Sequence, residues 1–340
     1  MSPVDVTIND VARAAGVSKG LVSLALNGKP GVAVETRDRI LAVADRLGWT
    51  PNPSARGLTT RRAYALGLVL RRAARTIEVD PFFAAFIAGV ETVLSERGQV
   101  LVLTVVPDHE AEARAYERLA VDKRVDGFLL TDLLADDRRI ALLQEYGSAA
   151  VSLGEPVGGS PFPVISRDYD SGIDALVAHL LELGHRRIAH VSGDERMLHG
   201  LRRRERFERA VRAAGLDAIV VPTDFSPEQG AEATKSLLDS AEPPTAIVYG
   251  NDTMAIAGMG VAQERGLRLP HDLSVTGLDG SQIGTYVYPT LTTLDNDPAG
   301  WGIAAATALL RLVEDGEPAD VDLPPARLVV RASTARPPRH

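Results

Sequence analysis

Along the first fifty residues apolar positions recur with a helical period, and from residue 63 they gather into short runs of strand length. Ile8, Val11, Ala12 and Ala15 stand at i, i+3, i+4 and i+7, one face of a helix that Thr7 or Asn9 can cap and Gly16 ends. Ser18 can cap a second helix with Leu21, Val22, Ala25 and Leu26 on one face, before Asn27-Gly28 stops it. Two short helices joined by a tight glycine-containing turn predict a helix-turn-helix. A third helix carries Ile40, Ala44 and Leu47, and Trp49 behind Gly48 closes the small core.

The stretch WTPNPSARGLTTRR, residues 49–62, has Asn52 to cap and Pro53 for the first position of a very short helix. So short a helix does not stand alone in water, and Gly57 costs it about 1 kcal/mol relative to Ala. A linker that orders only against a partner is the expectation. Beyond it, ALGLVL (65–70), QVLVLTVV (99–106), GFLLTD (127–132), AAVSL (149–153), RIAHVSG (187–193), AIVVPTD (218–224), AIVYG (246–250) and LSVTGLD (273–279) alternate with amphipathic helical stretches. That is a repeated βα pattern, which predicts parallel sheets that bind ligands at the carboxyl ends of their strands. Eight to ten strands suit two sheets with a cleft between them better than one.

Composition narrows the possibilities. With 340 residues the chain is long for one core, and 45% apolar residues can build several. It has no cysteine, so disulfide frameworks and thiolate metal or redox sites are excluded. The opening MSPVDVTINDVARAAG lacks the apolar core of a signal peptide, and no 18-residue apolar run occurs, so a soluble cytoplasmic protein is expected. Charge is divided unevenly: residues 1–62 carry nine Lys/Arg and five Asp/Glu, a net +4, whereas the whole chain is −8. A basic head on an acidic body suits a protein that meets phosphate at one end only.

VTINDVARAAGVSKGLVSLALNG (6–28) with VAVETRDRILAVADRLGWTPNPSARGL (32–58) resembles the headpiece and hinge of the lactose-repressor (LacI/GalR) family of bacterial transcriptional regulators. The resemblance continues in order through PFFAAFIAGVE (81–91), LGHRRIAHVSG (183–193), TAIVYGNDTMAIAGMG (245–260), GLRLPHDLSVTGLD (266–279) and YPTLTTLDND (288–297). It implies an all-α helix-turn-helix headpiece (1–50), a hinge helix or linker (51–62) and an α/β periplasmic-binding-protein-like sensor of two doubly wound subdomains (63–336). It implies a homodimeric repressor, free of cofactors, that binds a pseudo-palindromic operator and responds to a small sugar-like effector. A purine-type corepressor is the alternative within the family.

By the same resemblance Thr7, Ser18, Ser23, Asn27 and Thr36 match phosphate-contacting positions, and Lys19 and Gly20 match positions that set base specificity. Leu24 departs from the pattern, where relatives place Arg or His; it loses a guanine-reading fork and suits a thymine methyl instead. Ala55 and Leu58 match hinge positions that enter the minor groove as an apolar wedge, with Arg56 beside them for phosphate. In the sensor the resemblance carries effector binding onto Arg203, Phe225, Asn251 and Asp279, and more weakly onto Asp168 and Trp301. A carboxylate, an amide, a guanidinium fork and an aromatic face suit a polyol. Most of the LRRRERF run is expected to be a solvated helix face, and His179 and His185 a helix face and its cation-favouring C-terminal end.

Catalytic readings fare poorly. The G-x-S-x-G at Gly16–Gly20 sits in a helix-turn-helix, not on a strand-to-helix elbow, and no G-x-G-x-x-G or P-loop follows the first strand. The seven histidines show no metal-ligand spacing. A carbohydrate-binding transport component would lack the helix-turn-helix, and a nucleotide-dependent enzyme would need the phosphate motifs.

Overall fold

The computed structural model describes residues 6–26, 30–49, 62–72 and 80–338. Asn27, Ala55, Arg56 and Leu58, and with them most of the expected linker, lie outside the described residues. The chain divides into two compact units, Met1–Ala63 and Tyr64–His340.

The first unit contains α1 (Ile8–Ala15), α2 (Lys19–Leu26) and α3 (Val34–Arg46). Gly16 caps α1 at φ 64°, a left-handed conformation that glycine adopts without steric cost, and so turns the chain sharply into α2. Val11, Val22 and Ile40, one from each helix, are fully buried together, and Leu47 and Trp49 pack on their cluster.

The second unit is built of two six-stranded sheets among the described residues. The first sheet takes β1 (Ala65–Arg71), β2 (Val100–Val106), β3 (Gly127–Leu130), β4 (Ala149–Leu153), β5 (Val164–Arg167) and β11 (Val321–Leu323), in the order β11-β5-β4-β3-β1-β2. The second takes β6 (Ile188–Val191), β7 (Ile219–Val221), β8 (Ala246–Tyr249), β9 (Ser274–Gly277), β10 (Thr292–Asp295) and β12 (Arg327–Val329), in the order β12-β10-β9-β8-β6-β7. Pairing is parallel throughout except between β10 and β12. Strand β1 is flanked by β2 and β3, with Leu66 opposite Leu101 and Gly127, and its unbroken apolar run is what a strand covered on both faces requires.

Helices cover both faces of each sheet. On the first, α4 (Pro81–Glu96) and α11 (Pro298–Asp315) bury Phe86, Val90 and Leu309 on one side. On the other, α5 (His109–Val121) sets Tyr116 against Phe128 of the sheet, and α6 (Arg138–Glu145) buries Leu143. On the second sheet α7 (Asp170–Leu183) and α8 (Leu198–Ala213) form one layer, with Leu180 and Phe207. The opposite layer holds α9 (Pro227–Leu238) and α10 (Asp252–Glu264), with Leu237 and Met254. The chain passes between the sheets three times, after β5, after β10 and after β11.

Two expectations need correction. Strands β5, β10, β11 and β12 were not expected from the pattern; their three or four residues mix polar and apolar positions, and their sheet neighbours define them. His185 is not a cation at a helix end. It is fully buried, its ring bonds Thr245 and Ser274 hydroxyls and the Ala335 carbonyl, and burial lowers its pKa. No helix among the described residues is long and apolar enough to cross a membrane.

Candidate functional site

The carboxyl ends of strands from both sheets converge on one cavity of ≈ 360 Å³. From the first sheet come Arg72 after β1, Thr131 and Asp132 after β3, Glu155 after β4, and Arg167 and Asp168 at the end of β5. From the second come Phe225 after β7, Asn251 after β8 and Asp279 after β9. Arg203 reaches in from α8 and Trp301 from the first turn of α11. All six residues expected in the sensor site therefore line the same cleft, although they are drawn from segments spread over more than a hundred positions. The walls touch at one side, where the Leu198 N–H donates to the Leu133 carbonyl at 2.8 Å and Leu134 bridges Met197.

Arg203 and Phe207, four residues apart, share the buried face of α8, while Arg202 is exposed and Arg204 only half-buried. Arg203 donates from Nη1 to the Gly250 carbonyl at 3.0 Å, lies 4.9 Å from the Tyr169 ring centre, and keeps an enclosed Nε without an acceptor among the described residues. Arg202 also lines the cleft, donating to the Glu155 carbonyl at 2.8 Å, so the arginine run contributes more than one residue.

Asn251 is the N-cap of α10: its Oδ1 accepts from the Met254 N–H at 2.8 Å, and its Nδ2 donates to the Phe225 carbonyl at 2.9 Å. An amide nitrogen carries two protons, so one donor is left for the cleft. Phe225 sits at φ 69° with a largely buried ring, stacked on His199 at 5.2 Å and 5.6 Å from the Arg72 guanidinium. Asp168 is exposed and accepts from the Ser171 N–H at 3.1 Å, at the start of α7.

Asp279 and Asp252 form a buried acidic pair. Asp252 accepts four bonds, from the Thr293 hydroxyl, the Asp279 N–H, and both the N–H and hydroxyl of Ser281, at 2.6–3.3 Å. Burial raises the pKa of Asp252, and these four donors oppose that rise. Burial and neighbouring Asp252 push Asp279 up to about 8, which leaves it protonated at neutral pH and able to donate.

Arg72, Asp132, Asp80 and His199 are among the cleft residues that the sequence reading does not single out. Arg72 makes a two-pronged ion pair with Asp132, Nε and Nη2 each 2.8 Å from a carboxylate oxygen. Burial opposes the charge of Asp132, but this pairing prevails and draws its pKa down to about 2. Asp80 accepts from the Phe82 N–H at 3.0 Å, and desolvation raises its pKa. His199 is pushed down to about 3 by desolvation and by the Arg203 charge, so it is neutral. Asp132 closes the apolar run GFLLTD, and a carboxylate at a strand's carboxyl end was the available signal.

In the first unit Lys19, Gly20 and Leu24 are exposed on α2, and Ser18 accepts from the Leu21 N–H at 3.2 Å while keeping its own proton to donate. Thr7 instead gives its hydroxyl proton to Asp10 at 2.6 Å, and must turn it away to meet a phosphate. Ser23 and Thr36 are half-buried.

Residues 7–52 match the model for bacterial regulatory proteins of the lacI family, and residues 177–334 that for a periplasmic binding protein-like domain. The HTH-type transcriptional regulator CelR of Thermobifida fusca is 33% identical over 329 residues, 95% of this chain and 95% of that protein. The solved structure of a CelR–cellobiose complex superposes with TM-score 0.73 at 30% identity, covering 96% of this chain and 99% of that one. The lac repressor dimer bound to operator and the anti-inducer ONPF superposes with TM-score 0.83 at 27% identity, covering 98% and 100%. The motif order, the two-sheet fold and these matches over nearly the full length make this chain a member of the lacI family of bacterial DNA-binding transcriptional regulators.

Proposed function

We propose that this chain is a cytoplasmic repressor that binds a pseudo-palindromic operator as a homodimer and is controlled by a sugar-like effector held in the cleft. The observation that carries the sensor half is the convergence of Arg203, Phe225, Asn251, Asp279, Asp168 and Trp301 on one cavity. Their chemistry suits a hydroxylated ring: a neutral acid and an amide donate, a guanidinium holds oxygens, and aromatic side chains exclude water. The cellobiose complex of CelR supports the same ligand class. For the DNA half, α2 with exposed Lys19, Gly20 and Leu24 is the reading helix, Ser18, Ser23, Thr7, Thr36 and Asn27 meet phosphate, and Ala55, Arg56 and Leu58 enter or flank the minor groove. An effector that bridges the walls of the cleft shifts the subdomains only by its differential affinity for their two arrangements, and DNA affinity follows by linkage.

Selection of random duplex DNA with the full-length protein tests the DNA half. Inverted repeats with half-sites about one helical turn apart are the expected product, with binding that weakens steeply as salt rises. Recovery of asymmetric or unrelated sequences contradicts the reading.

A further inference from the structure

Two of the three nitrogens of the Arg167 guanidinium, Nε and Nη2, are buried without an acceptor among the described residues. Arg167 ends β5 and lines the cleft, with its side chain only 3% exposed. The carboxylate paired with it, Asp297, stands 3.9 Å from Nη2, beyond hydrogen-bond reach, on a side chain that is 57% exposed. The guanidinium lies 5.8 Å from the Trp301 ring centre, and Trp301 Nε1 is likewise enclosed with no acceptor among the described residues.

Other buried arginines of the same subdomain are satisfied. Arg72 uses its Nε and Nη2 edge to grip both oxygens of Asp132, and Arg139 uses the same edge on Asp137. In Arg167 that edge has no carboxylate within hydrogen-bond reach among the described residues. Burying a cation without an acceptor is unfavourable, so the arrangement is stable only if something completes it or if its role outweighs the cost. Every unmet group here is a donor. A hydroxyl makes use of both donors and acceptors, whereas a group with two or three acceptor oxygens matches a guanidinium edge and an indole N–H together.

We infer that Arg167 and Trp301 form an oxyanion subsite, so that the effector carries a carboxylate or phosphate at the end that meets the first subdomain. The inference rests on the cleft being the effector site and narrows its ligand from any polyol to an acidic one. Both sources of the oxyanion share the chemistry of the fork; a carboxylate is the better match in charge, because Asp80, Asp168 and Asp170 also line the cleft.

The test is calorimetry on the full-length protein with four probe sets: neutral sugars, the corresponding uronic and aldonic acids, sugar phosphates, and carboxylic acids that are not sugars. The wild type should bind an acidic member more tightly than its neutral counterpart. Arg167→Met should lose about ten- to hundredfold in affinity for the acidic ligand while changing the neutral one less than about twofold. Trp301→Phe keeps the aromatic body and should lose a smaller part of the same preference; Arg167→Lys serves if the Met variant does not fold. Acids or phosphates in the tight set identify the source. Preference for neutral sugars, or an acid-to-neutral ratio unmoved by these variants, overturns the inference and leaves the sugar reading intact. Tight binding of non-sugar acids alone, sensitive to Arg167, upholds the inference and removes the sugar. No binding in any set removes both.

Discussion

Asp252 and Asp279 share one buried site, and burial raises the pKa of both. The four donors on Asp252 oppose the effect of burial there, and Asp279, pushed up to about 8, keeps its proton at neutral pH. An unfolded aspartate titrates near pH ~4. Between these values the folded chain holds a proton that the unfolded chain has shed, so the stability tied to Asp279 is whole below pH ~4 and declines as pH rises to about 8. Asp279→Asn keeps a donor and does not titrate. Urea denaturation from pH 5 upward should therefore show wild type losing stability relative to Asp279→Asn and levelling above about pH 8; parallel curves contradict the assignment. At this scale the sequence was legible where spacing restricted a side chain, as with Arg203 and Phe207 on one helix face. It was not legible for Arg167 or Arg72, because an arginine in a short segment looks solvated until the fold encloses it.

Helices α4 and α11 approach each other through glycines. A Cβ on Gly302 would overlap the Phe86 carbonyl, and one on Gly89 the Ala299 carbonyl; both obstacles are backbone and cannot rotate away. Alanine gains about 1 kcal/mol of helix propensity over glycine, and overpacking of this kind costs about 1–3 kcal/mol. For Gly302→Ala the backbone collision places the balance toward the upper end of a net loss of about 0–2 kcal/mol. Denaturation followed by tryptophan fluorescence measures it, since the adjacent Trp301 is buried at this contact. A stabilised variant would show that the helices separate easily. The helix-turn-helix and eight of the strands were legible because period, apolar runs and caps are local signals. Strands β5, β10, β11 and β12 were not, since each gains its identity from the strand it pairs with, and β11 and β12 only after the chain has crossed between sheets.

Over the whole molecule, the charge division and the order of motifs make the two-part plan readable in the amino-acid sequence itself: a basic head for phosphate, an acidic α/β body for a small molecule. What required the fold was the meeting of distant strand ends in one cleft, and with it the neutral Asp279, the Arg72–Asp132 pair and the unmatched Arg167. The central claim is that occupancy of this cleft sets DNA affinity. The most direct measurement is fluorescence anisotropy of the operator recovered by selection, titrated with full-length protein with and without the cleft ligand, for wild type and Arg203→Ala. Ligand should shift the operator affinity of wild type by about five- to 150-fold, the usual range of such coupling. Arg203→Ala should bind operator as unliganded wild type does and should need about ten- to hundredfold more ligand for the same shift. Equal ligand response in the two proteins, or an operator affinity indifferent to a ligand that calorimetry places on the protein, would contradict the account.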